Sequence, residues 1–243
     1  MDRILQSSLL RQIIIKNYKF HYSYLLLSNN SYYRQLNQFT DRILALDNEM
    51  LYSINPDQIS LFIADKIKKM KAKYILELFA GAGALTNILT QQFNVVAVEI
   101  NCQRCEMIQA NVINQQRLTL VAGDAFKTSM KNFDFVCMAP PWGGENYDRT
   151  SFDLLRLTIG GQKYRRLIKN LGRNRVQSCQ ILPKSIPKLH IQKIFKLFVK
   201  YARDIFINDN QLESTNYQCE VYEHSRQGRQ KFLTVWIIKK DNK

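Results

Sequence analysis

Tyr74-Ile75-Leu76-Glu77-Leu78-Phe79-Ala80-Gly81-Ala82-Gly83 is an apolar, strand-favouring run that breaks into a glycine-rich turn. A helical pattern over residues 84–92 follows directly. Strand, tight turn and helix in that order open a βα unit, and glycine in such a turn lets a ligand approach the backbone closely. One carboxylate, Glu77, interrupts the apolar run.

Working outward, the same alternation repeats. Residues 95–100 read as a second strand, carrying Glu99 near its end, and lead into a helix over 102–114. Leu118–Ala122 reads as a third strand, ending at Gly123-Asp124, and residues 133–138 as a fourth, ending at two prolines. Strands this apolar, alternating with helices, belong to a parallel sheet covered on both faces. Residues 177–182 form a fifth candidate, stopped by Pro183. Pro187 opens an amphipathic helix over 188–201. Residues 204–208 and 232–238 supply a sixth and a seventh strand. The count matches an α/β, Rossmann-like seven-stranded sheet of the class I methyltransferase type. Residues 73–243 are assigned to that domain. Residues 1–72 read as a mainly helical N-terminal extension, with one helix at Asp57–Lys69 behind Pro56 and another within 32–46, packed so as to roof the site.

The turn after the first strand favours S-adenosylmethionine as ligand. Gly81-x-Gly83 is followed by Ala84-Leu85-Thr86, without the third glycine that a pyrophosphate site uses. A cofactor without phosphates loses nothing by that. Glu77, Phe79, Gly81 and Gly83 would line its floor. Glu99 stands where a carboxylate accepts from both ribose hydroxyls, with Ile100 beside it, and Asp124 and Ala125 stand where the adenine would lie.

Ala139-Pro140-Pro141-Trp142 closes the fourth strand. Two fixed φ angles make this turn rigid and aim main-chain carbonyls toward a methyl donor. Trp142 offers a stacking face worth roughly 1–3 kcal/mol to a base. A base carrying positive charge would gain a further ~0.5–2 kcal/mol from cation–π attraction.

The bulk properties agree with a polyanionic partner. The chain of 243 residues has 46% apolar residues, ample for a core, and a formal charge of +15. Between Arg149 and Arg175 lie eight basic residues and one acid, and a second basic run from Lys184 to Arg203 follows. Both sit just downstream of the Pro-Pro-Trp turn. Five cysteines, an odd number, argue for a reducing compartment. Cys102 and Cys105 have metal-pair spacing without a second pair, so no metal is expected, and Cys137 reads as core. The most apolar N-terminal stretch is broken by Lys16, Lys19 and His21, short of the roughly 18 continuous apolar residues of a membrane span. No membrane partner is expected.

Residues 32–240 resemble the trimethylguanosine synthases, which methylate the exocyclic N2 of 7-methylguanosine in RNA caps. The resemblance is most specific at Pro140-Pro141-Trp142-Gly143-Gly144-x-x-Tyr147, with Phe152-Asp153 beyond. It extends to Tyr52-Ser53-Ile54-Asn55-Pro56-Asp57-Gln58-Ile59 and to Leu182-Pro183-Lys184. It implies that Trp142 stacks on the methylated guanine and that Lys184 meets cap phosphate. Tyr147, Arg165 and Arg166 join them as substrate-side candidates, and Ala139 to Trp142 form the catalytic turn. The partner implied is capped RNA of the small nuclear or nucleolar kind, which places the protein in the nucleus; the basic N-terminus leaves a mitochondrial location as the alternative.

Three positions depart from the family pattern. Ala139 stands where Asn, Asp or Ser usually precedes the prolines, Ala45 where a lysine would face phosphate, and Leu51 where a tryptophan is expected. These departures keep two alternatives open: a methyltransferase-fold RNA-binding scaffold with weak or no turnover, and a methyltransferase for another RNA such as rRNA.

Overall fold

The computed structural model describes residues 45–142, 152–204, 206–208, 211–213, 216–226 and 229–240. The helix expected within 32–46 lies almost wholly outside them, as does Tyr147. In chain order the elements are α1 (Asn48–Ser53), α2 (Asp57–Lys69), β1 (Tyr74–Leu78), α3 (Ala84–Leu89), β2 (Asn94–Glu99), α4 (Cys102–Asn111), β3 (Leu118–Ala122) and β4 (Phe135–Met138). There follow a short hairpin of β5 (Thr158–Ile159) and β6 (Gln162–Lys163), α5 (Arg165–Asn174), β7 (Gln177–Pro183) and α6 (Lys188–Ala202). The described chain closes with β8 (Phe206–Asn208), β9 (Gln211–Glu213), β10 (Tyr217–Arg226) and β11 (Arg229–Lys239).

Seven strands form one sheet in the order β10-β11-β7-β4-β1-β2-β3. Strands β3, β2, β1, β4 and β7 run parallel, and β11 lies antiparallel between β7 and β10. Successive side chains on a strand point to opposite faces, and the core divides accordingly. Ile75, Phe135, Cys137, Cys179 and Trp236 pack against Ile59, Ile63 and Ile67 of α2 and Leu85 and Ile88 of α3. Leu76, Leu78, Val136 and Met138 pack on the other face against Leu167 and Leu171 of α5 and Ile191, Ile194 and Phe198 of α6. Ile108 of α4 covers Ala97 on the α2 side. Both faces of β2, β1, β4 and β7 are therefore dry, which is why these strands read as nearly unbroken apolar runs, while β3 at the edge is partly exposed.

One expectation is corrected. Residues 204–208 do not supply the sixth strand of the sheet; Phe206–Asn208 pairs with Gln211–Glu213 as a separate two-stranded ribbon. The sixth place belongs to Tyr217–Arg226, at an edge. With one neighbour, β10 carries no apolar run: Glu220 pairs with Lys66 of α2, His224 packs on Phe62 and bonds Thr234, and Glu223 faces solvent. Among the described residues no helix is long and apolar enough to cross a membrane.

Helices α5 and α6 cross closely at Gly172, where an added Cβ would stand 2.4 Å from the Phe198 carbonyl oxygen and 2.9 Å from Tyr201 Cβ. Alanine favours helix by about 1 kcal/mol over glycine, but here the backbone contact outweighs that gain. Gly172→Ala is expected to destabilise the protein by roughly 1–3 kcal/mol in denaturant unfolding. An unchanged midpoint would contradict the packing described.

Candidate active site

Strands β1 and β4 are neighbours, with Leu78 opposite Met138, although β2 and β3 intervene in sequence. The Ala139 amide points to the Leu78 carbonyl at 3.5 Å. The loops leaving these two strands, 79–83 and 139–142, thus emerge side by side at the carboxyl edge. This is the point where strand order reverses and where open α/β sheets bind ligands.

The first loop is held in an unusual shape. Phe79, Gly81 and Gly83 have φ of 62°, 58° and 82°. The left-handed region is costly for phenylalanine and free for glycine. At Gly81 an added Cβ would lie 2.9 Å from Met50 Sδ, which a flexible thioether could yield, so the torsion is what selects glycine. Glu99, at the end of β2, ties the loop down: its Oε2 accepts from the Gly81 amide and its Oε1 from the Asn101 amide, each at 2.9 Å. Each oxygen retains a second lone pair for a hydroxyl donor. Asn101 also caps α4, its side chain accepting from the Gln103 amide at 2.9 Å.

A roof of N-terminal residues lies over this loop. Met50 of α1 packs with Ala82 and Met107. Asn111 donates to the carbonyls of Ala82 at 2.7 Å and Ala45 at 2.9 Å, and accepts from the Ala45 amide. Asp47 caps α1 and receives Arg104 of α4 at 2.7 Å; the same guanidinium also reaches Glu49. Ala45, where a phosphate-facing lysine was expected, is therefore part of the clasp through its backbone.

Glu77 shares the strand face of Ile75, beneath α2 and α3, and is almost fully buried. Its Oε2, Thr86 Oγ1 and Asn87 Nδ2 are enclosed with no hydrogen-bond partner among the described residues. Burial pushes the Glu77 carboxyl up to about 8; the nearby Thr86 hydroxyl opposes this and the Glu99 charge adds to it. A carboxyl that is costly to ionise without a partner is suited to receive a cationic ligand group. The residues present fit the amino group and ribose of an adenosyl amino acid.

The rim is formed by the ends of β2 and β3. Ile100 is 70% exposed beside buried Glu99, an apolar surface that a flat ring can cover, while Ala125 is buried. Asp124 is half-buried; its Oδ1 accepts from the Phe126 amide at 2.8 Å and its Oδ2 from Gln162 Nε2 at 3.0 Å. Gln162 in turn accepts from Arg166 Nη1 at 2.5 Å. Sequence reasoning missed Gln162, because a lone glutamine in a short hairpin carries no pattern; the Gly160-Gly161 turn was the only signal. Arg165, Arg166 and Lys184 are all exposed. The arginines stand at the start of α5 near Asp124, and Lys184 follows the carboxyl end of β7.

At the second loop Pro140 is buried and Pro141 exposed. Trp142 is half-buried rather than open on a free face. Its ring centroid lies 5.9 Å from that of Phe232 at 50°, its indole nitrogen is enclosed, and it packs against both halves of the core.

A switch-point crevice with a glycine floor, a carboxylate at the end of β2 and a Pro-Pro-aromatic turn defines an S-adenosylmethionine-dependent methyltransferase. Residues 72–240 match the family model described as RNA cap guanine-N2 methyltransferase. The chain belongs to that family, and S-adenosylmethionine is its cofactor. It is an RNA-modifying methyltransferase.

Solved structures agree in fold. Magnesium protoporphyrin IX methyltransferase from Synechocystis PCC 6803, with SAM bound, superposes with a TM-score of 0.51 at 14% identity, covering 85% of this chain and 89% of that one. The methyltransferase domain of a bacterial Hen1 gives 0.52 at 11% identity, covering 76% and 98%.

Between about 4.5 and about 8 the folded, cofactor-free protein holds on Glu77 a proton that the unfolded chain has released. The stability this carboxyl contributes is fully present below about 4.5 and is lost as pH rises to about 8. Glu77→Gln, which keeps the neutral shape, should melt close to wild type at pH 5 and several degrees higher at pH 8. Its affinity for S-adenosylmethionine at pH 8 should fall tenfold or more by calorimetry. A melting difference that does not change with pH would refute the assignment.

Proposed function

We propose that this chain transfers a methyl group to the exocyclic N2 of 7-methylguanosine in RNA caps. The observation that carries the reading is the adjacency of the glycine floor and the Pro140-Pro141-Trp142 turn at paired ends of β1 and β4, within a chain of the cap guanine-N2 family. When bound, S-adenosylmethionine supplies an electrophilic methyl on a sulfonium. The chain supplies position and polarity. Glu77 receives the ammonium group, Glu99 the ribose hydroxyls, and Asp124 with Ile100 the adenine.

Trp142 stacks on the cationic guanine with the part of its ring left accessible. Phe232 behind it holds the indole in place, so little side-chain entropy is lost on binding. The carbonyls of Ala139 and Pro140 accept from the N2 amine and orient its lone pair. The N2 proton passes to solvent once the bond to carbon has formed, so no dedicated base is needed. Arg165, Arg166 and Lys184 take the cap phosphates as exposed cations near the rim.

Ala139 is the observation that favours a second reading. Without a side-chain acceptor at this position the amine has only main-chain partners, a loss worth on the order of tenfold to a thousandfold in rate. A protein that binds capped RNA and S-adenosylmethionine without turnover is the limiting case.

The deciding experiment is mass analysis of 7-methylguanosine diphosphate incubated with purified protein and S-adenosylmethionine. A gain of one or two methyl masses supports the enzyme. Binding of both ligands with no mass gain supports the scaffold. Two substitutions sharpen the result. Trp142→Ala should lower kcat/KM roughly 5- to 150-fold, with Trp142→Phe recovering most of it. Ala139→Ser should raise kcat at least severalfold; an unchanged or lower kcat would mean that a side chain at 139 does not reach the amine.

A further inference from the structure

The proposed site uses Arg165, Arg166 and Lys184 and leaves most of the basic surface without a role. Helices α5 and α6 together carry eight lysines and arginines and no carboxylate. They flank β7, which connects them in sequence, so both run from the carboxyl edge of the sheet, where the site lies, to the opposite edge. Their outer faces are continuous because Gly172 lets the helices touch. Tyr201 of α6 lies at that seam, with Lys169 Nζ 5.1 Å and Arg173 Cζ 4.9 Å from its ring centroid, both from α5. The Lys169 ammonium beside it lowers the Tyr201 phenol from its ordinary value, as a positive field should.

Both helices end in the same way. Arg175 and Arg203 are their C-caps, with φ of 53° and 56°, a conformation in which glycine is the usual cap. A cation is favoured at a helix C-terminus by the macrodipole, and Arg175 also donates from Nε to the Ala202 carbonyl at the end of α6, at 3.2 Å. The two arginines line one cavity of about 360 Å³ together with Lys239 and Lys240. The carboxylate in that lining, Asp204, is engaged by Asn216 through both oxygens, at 3.1 and 2.7 Å.

We infer that the α5–α6 face is a track for single-stranded RNA, running from the rim at Arg166, over Lys169, Arg173 and Tyr201, to a phosphate seat in the cavity of Arg175, Arg203, Lys239 and Lys240. The inference rests on the cap reading for the direction of the strand, because the rim end touches Asp124 through Gln162. Ten residues of α5 span about 15 Å. At about 3.4 Å per stacked nucleotide, and about twice that when extended, the track with its terminal seat accommodates roughly three to six nucleotides. Its cations are on one side only, which suits a strand laid along the surface.

The test is fluorescence anisotropy with uncapped single-stranded RNAs of 2, 4, 6, 12 and 20 nucleotides. The comparison is wild type against Lys169→Gln/Arg173→Gln/Arg203→Gly, three cations of the track, in which glycine keeps the cap geometry at 203. Affinity should rise with length to about six nucleotides and then level off. For the 12-mer the variant should bind about 10- to 100-fold more weakly at 0.1 M salt. The slope of log K against log salt should fall in magnitude by about 2, or 0.7 for each cation removed. Calorimetry should show S-adenosylmethionine and the cap dinucleotide bound as by wild type.

No rise with length, a rise without a plateau, or an unchanged salt slope would each overturn the track. Melting curves establish that the variant is folded. The cap reading fails separately, in the mass assay on the diphosphate, in which the substituted residues take no part.

Discussion

The structure depends on one pairing, β1 against β4. The chain lays down β1, β2 and β3 in one direction across the sheet and then returns to place β4 on the other side of β1. Two segments about sixty residues apart therefore end side by side, with Leu78 opposite Met138. Hydrogen bonding between parallel strands fixes this to within one residue, since a slip would reverse every side chain between the two helical layers. A transfer reaction needs donor and acceptor within a few ångströms. The sheet provides that proximity by making the two ligand-binding loops leave neighbouring strands at the same edge.

A second constraint follows from the first. A loop at the switch point must stay open to a ligand, yet its backbone cannot be left loose. Glu99 meets this by spending one lone pair of each oxygen on the amides of Gly81 and Asn101 and keeping the others. Met50, Asn111 and the Asp47–Arg104 pair close the loop from above, so the segment before the sheet belongs to the site. Glu77 is the counterpart below, a carboxyl kept in an apolar layer where it is costly to ionise. That burial costs stability as pH rises toward about 8.

Much of this was legible in the sequence, for physical reasons that also explain what was not. Strands β1, β2, β4 and β7 are dry on both faces, so their apolar runs announced them; β3, at the other edge, was marked by its strand-favouring residues and the Gly123-Asp124 turn, and Pro56 and Pro187 marked the starts of α2 and α6. Strand β10 is an edge with a polar face; its sequence looks like a loop, and the apolar Phe206–Asn208 was taken for it instead. Among the candidate site residues, Glu77, Gly81, Gly83, Glu99 and Asp124 could be singled out because each sits at a fixed offset from a strand end. Gln162, Asn111 and Met50 act through tertiary contacts with no local pattern. Trp142 was legible as an aromatic beside two prolines, but its packing on Phe232 depends on β11, ninety residues further along the chain.

The charge completes the account. A +15 chain with two carboxylate-free helices beside its site has placed its cations where an RNA strand would leave the crevice. The most direct measurement of the central claim is a crystal structure with S-adenosylhomocysteine and 7-methylguanosine diphosphate. The account predicts the guanine against Trp142, with N2 held by the carbonyls of residues 139–140 and about 4 Å from the thioether sulfur. A base seated elsewhere, or an adenosyl group that avoids Glu99 and Asp124, would contradict it.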